Sequence, residues 1–117
     1  MGKFAVIVRA GPQDGARALH GLLYADELHE AGHEVRVVFD GAGTTWVKTY
    51  SAPDHKYHDL FEKVRIAGLI GGVCEYCAAA FNVKAAVVQG GLPLQGDAGG
   101  HPSISRLVAD GYARLVL

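Results

Sequence analysis

The first forty residues do most to limit the fold. Lys3 to Arg9, KFAVIVR, is a short apolar run rich in β-branched residues that stops at Gly11-Pro12, the pattern of a buried strand. Asp14 is placed to cap a helix whose Leu19, Leu22, Leu23 and Leu28 recur at helical spacing, and Gly32 is placed to end it. EVRVVFD, Glu34 to Asp40, then reads as a second strand, stopped by Gly41-Ala42-Gly43. Strand, helix and strand joined this tightly form a βαβ unit, whose crossover makes the two strands parallel. A chain that begins this way is committed to a parallel sheet covered by helices.

The remainder repeats the alternation. Thr44 to Tyr50 reads as a short helix with Trp46, Val47 and Tyr50 on one side. Asp54 is expected to cap a clearer one, in which Tyr57, Leu60, Phe61 and Val64 follow the i, i+3, i+4, i+7 template. The core of Ile66 to Val73 reads as a third strand, and Cys74 and Cys77 open a helix running to about Phe81. Lys84 to Gln89 is a further helical piece, Leu92 to Leu94 a degenerate strand, and QGDAGGHP a loop. Pro102 suits the first turn of a last helix, with Ile104, Leu107 and Val108 facing inward, Gly111 ending it, and Tyr112 to Leu117 closing the chain as a strand. The expected fold is a three-layer α/β/α domain, residues 1–117, with a mostly parallel sheet of four to five strands.

Composition excludes several classes of function. With 11 Lys and Arg against 12 Asp and Glu, spread along the chain, no basic face exists for a phosphate backbone, so nucleic acid is not an expected partner. No apolar stretch approaches a membrane span, and the N-terminal run is cut short by Arg9, too soon for a secretory leader. A cytoplasmic protein is the expectation, and there a CxxC pair is more often catalytic, reduced or metal-binding than structural.

In open parallel sheets ligands bind outside the carboxyl ends of the strands. Gly11, Gly41, Gly43 and Gly72 fall in or beside segments that follow strands, where a missing Cβ lets backbone N–H groups approach an anion or a sulfur. The same glycines also suit tight turns with no ligand at all. The dinucleotide fingerprint is incomplete and no Walker pattern occurs.

The chemistry concentrates in GGVCEYCAAAFNV, Gly71 to Val83. At a strand-to-helix turn Cys74 falls near the helix N-cap, where free N–H groups favour a thiolate, while Glu75 opposes it. Cys77, one turn on, is within reach to resolve a sulfenate or persulfide on Cys74. The plainer reading is two small buried side chains, since free cysteine is among the most buried residue types. His55-x2-His58 could join the C-x2-C in a zinc site, but neither half has finger geometry, and neither a metal nor a cofactor is assigned. His101 is expected to cap the last helix; on the same sheet edge as Cys74, it could also serve as a proton donor.

Taken in order, the opening strand, AGHEV leading into FDG (Ala31 to Gly41), CEYCAAAFNV and GHPS resemble the DsrE-like family, which includes the DsrE/DsrF and YchN-like proteins and the sulfur-relay subunits. The resemblance spans essentially the whole chain. It implies a parallel five-stranded sheet, assembly as a homo-oligomer (dimer, trimer or hexamer), and sulfur donor and acceptor proteins as partners. It also implies that Cys74 corresponds to the cysteine that carries a persulfide, with Cys77 as an additional thiol. Where several members have Arg-Gly, this chain has Phe81-Asn82.

Overall fold

The computed structural model describes residues 1–117. Five strands, β1 (Lys3–Val8), β2 (Glu34–Phe39), β3 (Ile70–Cys74), β4 (Leu94–Gln95) and β5 (Ala113–Val116), form one sheet in the order β4-β3-β2-β1-β5. Every pairing is parallel. The helices are α1 (Gly15–Glu30), α2 (Thr45–Ser51), α3 (His58–Ile66), α4 (Glu75–Ala80), α5 (Lys84–Gln89) and α6 (Ile104–Ala109). No helix is long and apolar enough to cross a membrane.

Strand order explains the layers. From β1 to β4 the chain steps in one direction, and the return to β5 reverses it. Crossovers in parallel sheets are right-handed, so the reversal puts α6 on the face opposite to α1. The two cores match. Val6, Val8, Val35, Val37 and Phe39 pack with α1, α2, α3 and α5 in the larger one, whereas Ala5, Ile7 and Val38 meet Leu107 and Tyr112 in a much smaller one. Alternate residues of β1 and β2 thus serve opposite faces, as period-two geometry requires.

Several expectations change in detail. Helix α1 is capped by Asp14, which accepts from the Arg17 N–H, but it buries Ala18, Gly21, Leu22 and Ala25 and leaves Leu23 exposed. Small residues face the sheet because the helix lies close: a Cβ on Gly21 would stand 2.8 Å from Val8 Cγ2. Helix α3 begins at His58, so Asp54 does not cap it; His55 Nδ1 instead accepts from the Tyr57 N–H at 3.0 Å. Ile66 ends α3 rather than opening β3. On α6 only Leu107 is buried, with Ile104 and Val108 about half exposed.

Phe81-Asn82 has a backbone explanation. Asn82, with φ of +58°, is the one non-glycine residue in the left-handed region, and it directly follows the C-cap of α4. Asn is the side chain that best tolerates this helix-ending conformation after glycine. Asn82 therefore ends α4 in a conformation that glycine would also adopt, and Asn82→Gly is expected to change stability by less than about 0.5 kcal/mol, measured by urea unfolding.

Gly43 is the opposite case. The 3₁₀ turn from Gly41 to Thr44 presses on the end of β1 so closely that a Cβ at Gly43 would lie 2.0 Å from the Val8 carbonyl oxygen. Backbone cannot yield as a side chain does. Gly43→Ala is expected to lower stability by about 3 kcal/mol, the upper end for overpacking, measured as a lower urea midpoint at unchanged m-value.

Candidate functional site

Four adjoining strands bring their carboxyl ends to one place. Val8 lies opposite Phe39, and Phe39 opposite Val73, so the next row across the sheet is Arg9, Asp40 and Cys74, with Gln95 paired to Cys74. The register alone therefore sets a cation, a carboxylate and a thiol side by side. Helix α4 starts at once after β3 and adds Cys77 from its first turn, and the β4–α6 loop folds back to add His101.

The contacts are specific. Cys74 Sγ lies 3.2 Å from His101 Nδ1 and 3.8 Å from the Gly100 carbonyl oxygen. As the N-cap of α4 it also accepts from the Cys77 backbone N–H at 3.5 Å. Cys77 Sγ points to Asp40 Oδ1 at 4.0 Å. Asp40 is itself fixed, Oδ2 accepting from Arg9 at 2.6 Å and Oδ1 from the Gly41 N–H at 2.9 Å. The loop is tied down by the Tyr76 N–H donating to the Gly100 carbonyl at 3.0 Å and by an Ala98–His101 bridge. The Tyr76 ring packs against the His101 ring at 5.1 Å.

The N-cap position of Cys74 matches the sequence reading, but the thiol's acidity does not. Burial pushes the Cys74 thiol up to about 12; the Cys77 N–H pulls the other way and loses, and hydrogen bonding with Cys77 and the Asp40 carboxylate adds to the rise. Two facts invert the expectation. Cys74 has no exposed surface, and the Tyr76 N–H, one of the free donors at the helix start, is taken by the loop. The resting group is a neutral thiol, and His101 Nδ1 at 3.2 Å is the nearest of its hydrogen-bonding neighbours.

His101 is consequently not the cap of α6. Ser103 is, accepting from the Arg106 N–H at 3.2 Å, which frees the histidine to face Cys74. Asp40 and Arg9 escaped the sequence reading altogether. Their signal is simple: each is the first polar residue after an apolar strand, and parallel register then aligns them. His55 and His58 lie apart from the cysteines, His58 Nδ1 meeting the Tyr50 carbonyl oxygen at 2.7 Å.

The glycines are placed as follows. Gly11 allows the β1–α1 turn to abut Ala42, Gly41 presents its N–H to Asp40, and Gly43 packs on β1. Gly72, with Gly71 at an irregularity in the β2–β3 register, lets the Gln95 and Arg36 side chains lie flat on the sheet. Each has a packing reason that needs no ligand.

Half-buried Cys77 and fully buried Cys74 should differ in reactivity. Under native conditions iodoacetamide is expected to modify Cys77 at least about tenfold faster, and urea to remove the difference, because access and thiolate fraction control the rate. Peptide mapping over time checks this.

Comparison with known proteins supplies the remaining observations. A family model described as the DsrE/DsrF-like family matches residues 2–117. The uncharacterized protein MJ0733 of Methanocaldococcus jannaschii is 38% identical over 94 residues, 80% of this chain and 74% of that protein. A solved structure of BT1422, a conserved protein of unknown function from Bacteroides thetaiotaomicron, superposes with a TM-score of 0.71 over 98% of this chain and 94% of its own, at 14% identity. That last likeness is one of fold.

Proposed function

Because the chain belongs to the DsrE/DsrF-like family, we propose that it handles sulfane sulfur on the Cys74–Cys77 pair, with His101 moving the proton. The observation that carries this is the 3.2 Å separation of Cys74 Sγ and His101 Nδ1, a nucleophile beside a base, with a second thiol over the same site.

A buried neutral thiol is a poor nucleophile, and a base held at hydrogen-bond distance answers that difficulty at the moment of attack. The Cys74 sulfur attacks the outer sulfur of a donor persulfide while His101 takes the thiol proton. The donor's S–S bond breaks, a new S–S bond forms on Cys74, and His101 returns the proton to the departing donor thiolate. The sum is Cys74–SH plus R–S–SH giving Cys74–S–SH plus R–SH. When no acceptor is present, Cys77 attacks the Cys74 sulfur, forming the Cys74–Cys77 disulfide and releasing hydrogen sulfide. Cys74 has no exposed surface, so access requires a local opening around the sulfur that leaves His101 within hydrogen-bond reach of it.

The family resemblance adds self-association and protein donors and acceptors of sulfur to the proposal. Incubation with a cysteine desulfurase and cysteine is expected to add the mass of one sulfur atom to the Cys77→Ser protein, which cannot resolve the persulfide, and Cys74→Ser to show no addition. Uptake that survives Cys74→Ser contradicts the assignment.

A second reading is a dithiol–disulfide redox protein, favoured by the two Sγ atoms lying within 4.8 Å of each other. It is distinguished by product: oxidant then yields the intramolecular disulfide, while sulfur donors leave the mass of the Cys77→Ser protein unchanged.

A further inference from the structure

The four groups at the carboxyl edge have a property that sulfur transfer does not need. Asp40, Cys74, Cys77 and His101 each offer one donor atom, and all four donor atoms lie within 4.8 Å of one another. From this we propose that the site binds one zinc ion with a two-thiolate, one-imidazole, one-carboxylate ligand set.

Size supports it. A tetrahedral zinc with bonds of about 2.0 to 2.3 Å places its ligand atoms about 3.3 to 3.8 Å apart. The Cys74–His101 separation is 3.2 Å and the Cys77–Asp40 separation 4.0 Å, on either side of that range. No pair is further apart than 4.8 Å, so contractions of at most about 1 Å bring the set into that range.

The ligands also have the fixed backing that metal ligands need. Asp40 is oriented by Arg9 and the Gly41 N–H. Cys74 and Cys77 are the N-cap and first-turn positions of one helix, which fixes the two thiols relative to each other. The His101 ring is held against Tyr76. Outer contacts of this kind fix ligand geometry and raise affinity.

Charge and softness select the ion. Two sulfurs with an imidazole and one carboxylate suit zinc and not magnesium or calcium, which take oxygen ligands. Binding displaces one proton from each thiol to solvent. Two thiolates, a carboxylate and a divalent ion then sum to −1, which the adjacent Arg9 cation offsets. The sequence offers His55 and His58 as conceivable partners for the cysteines and assigns no metal; the fold brings Asp40 and His101 to them instead.

One consequence rests on the sulfur-handling proposal: zinc and a persulfide both require Cys74 Sγ, so a bound ion closes the site to sulfur. The metal site itself is tested without any transfer. The reduced protein is titrated with Co2+, read by absorption, and with Zn2+ in competition with a chromophoric chelator. One ion per chain is expected, with a sulfur-to-cobalt charge-transfer band and visible bands of tetrahedral intensity. Outer-shell partners alone are worth about 10–100-fold in affinity, so Asp40→Asn and His101→Ala should each weaken zinc binding at least about tenfold. Far-UV circular dichroism confirms that both variants fold. Absence of binding, or binding that neither substitution weakens, overturns the proposal, the second result meaning chelation by the dithiol alone. Failure of sulfur uptake with zinc binding intact removes the transfer reading and leaves the metal site standing.

Discussion

Replacing His101 with glutamine is expected to slow sulfur uptake by Cys74 about 100-fold. General acid–base catalysis by a positioned side chain contributes about 10²–10⁴-fold. The lower figure is the appropriate one here, since other bases in water can still reach the thiol once the site opens. Glutamine is similar in size and can hydrogen-bond to Cys74, but it cannot take the proton. The thiol, raised to about 12 by burial, would then have to ionise unaided. His101 is partly exposed and caps no helix, so the urea midpoint should hardly move. The measurement is the initial rate of sulfur incorporation at fixed donor concentration, read by intact mass with Cys77→Ser present in both proteins so that the persulfide is retained. A rate equal to that of the protein retaining His101 would remove His101 from the mechanism and leave it as a packing neighbour of Tyr76.

The second large effect concerns stability. Phe61→Ala should cost about 4 kcal/mol, measured by urea unfolding, because burial is lost and a cavity left behind. Phe61 is fully buried on α3, with the Phe39 ring at 6.3 Å and the Tyr50 ring at 5.8 Å, so it joins the sheet to both α2 and α3. Val108→Ala should cost less than about 0.5 kcal/mol, since Val108 is 52% exposed on the thin α6 layer. The contrast tests the asymmetry of the two cores. Equal costs would mean that the α6 face is buried in solution, as it would be in an assembled protein.

What was legible in the sequence follows from the range over which each signal acts. Strand β1, helix α1 and strand β2 are written in local patterns, apolar runs and caps, and Asp14 and Gly32 stand at the ends they mark. Helix faces were less legible. Of the leucines of α1, Leu22 is buried and Leu28 packs on the core as the spacing suggests, but Leu23 is exposed and the sheet also takes Ala18, Gly21 and Ala25, because the helix approaches it closely. Likewise Ile104 and Val108 have helical spacing, and only the size of the layer above them decides their exposure.

The site divides in the same way. The cysteine pair and its place at a helix start could be read directly. The raised pKa of Cys74 could not, since it depends on a loop some twenty-six residues downstream covering the thiol and taking the Tyr76 N–H. Arg9 and Asp40 become site residues only through the register of three parallel strands. The signal that might have recovered them is the first polar residue after each apolar run, read together with the rule that parallel strands end in line.

The central claim is that Cys74 accepts sulfur and Cys77 resolves it. The most direct measurement is peptide-level mass spectrometry after exposure of Cys74→Ser, Cys77→Ser and the unsubstituted chain to a persulfide donor. The account predicts a persulfide retained on Cys74 in the Cys77→Ser protein, a Cys74–Cys77 disulfide with hydrogen sulfide release in the unsubstituted chain, and no added sulfur in Cys74→Ser. A persulfide on Cys77 in the Cys74→Ser protein, formed as fast as in the unsubstituted chain, would contradict it.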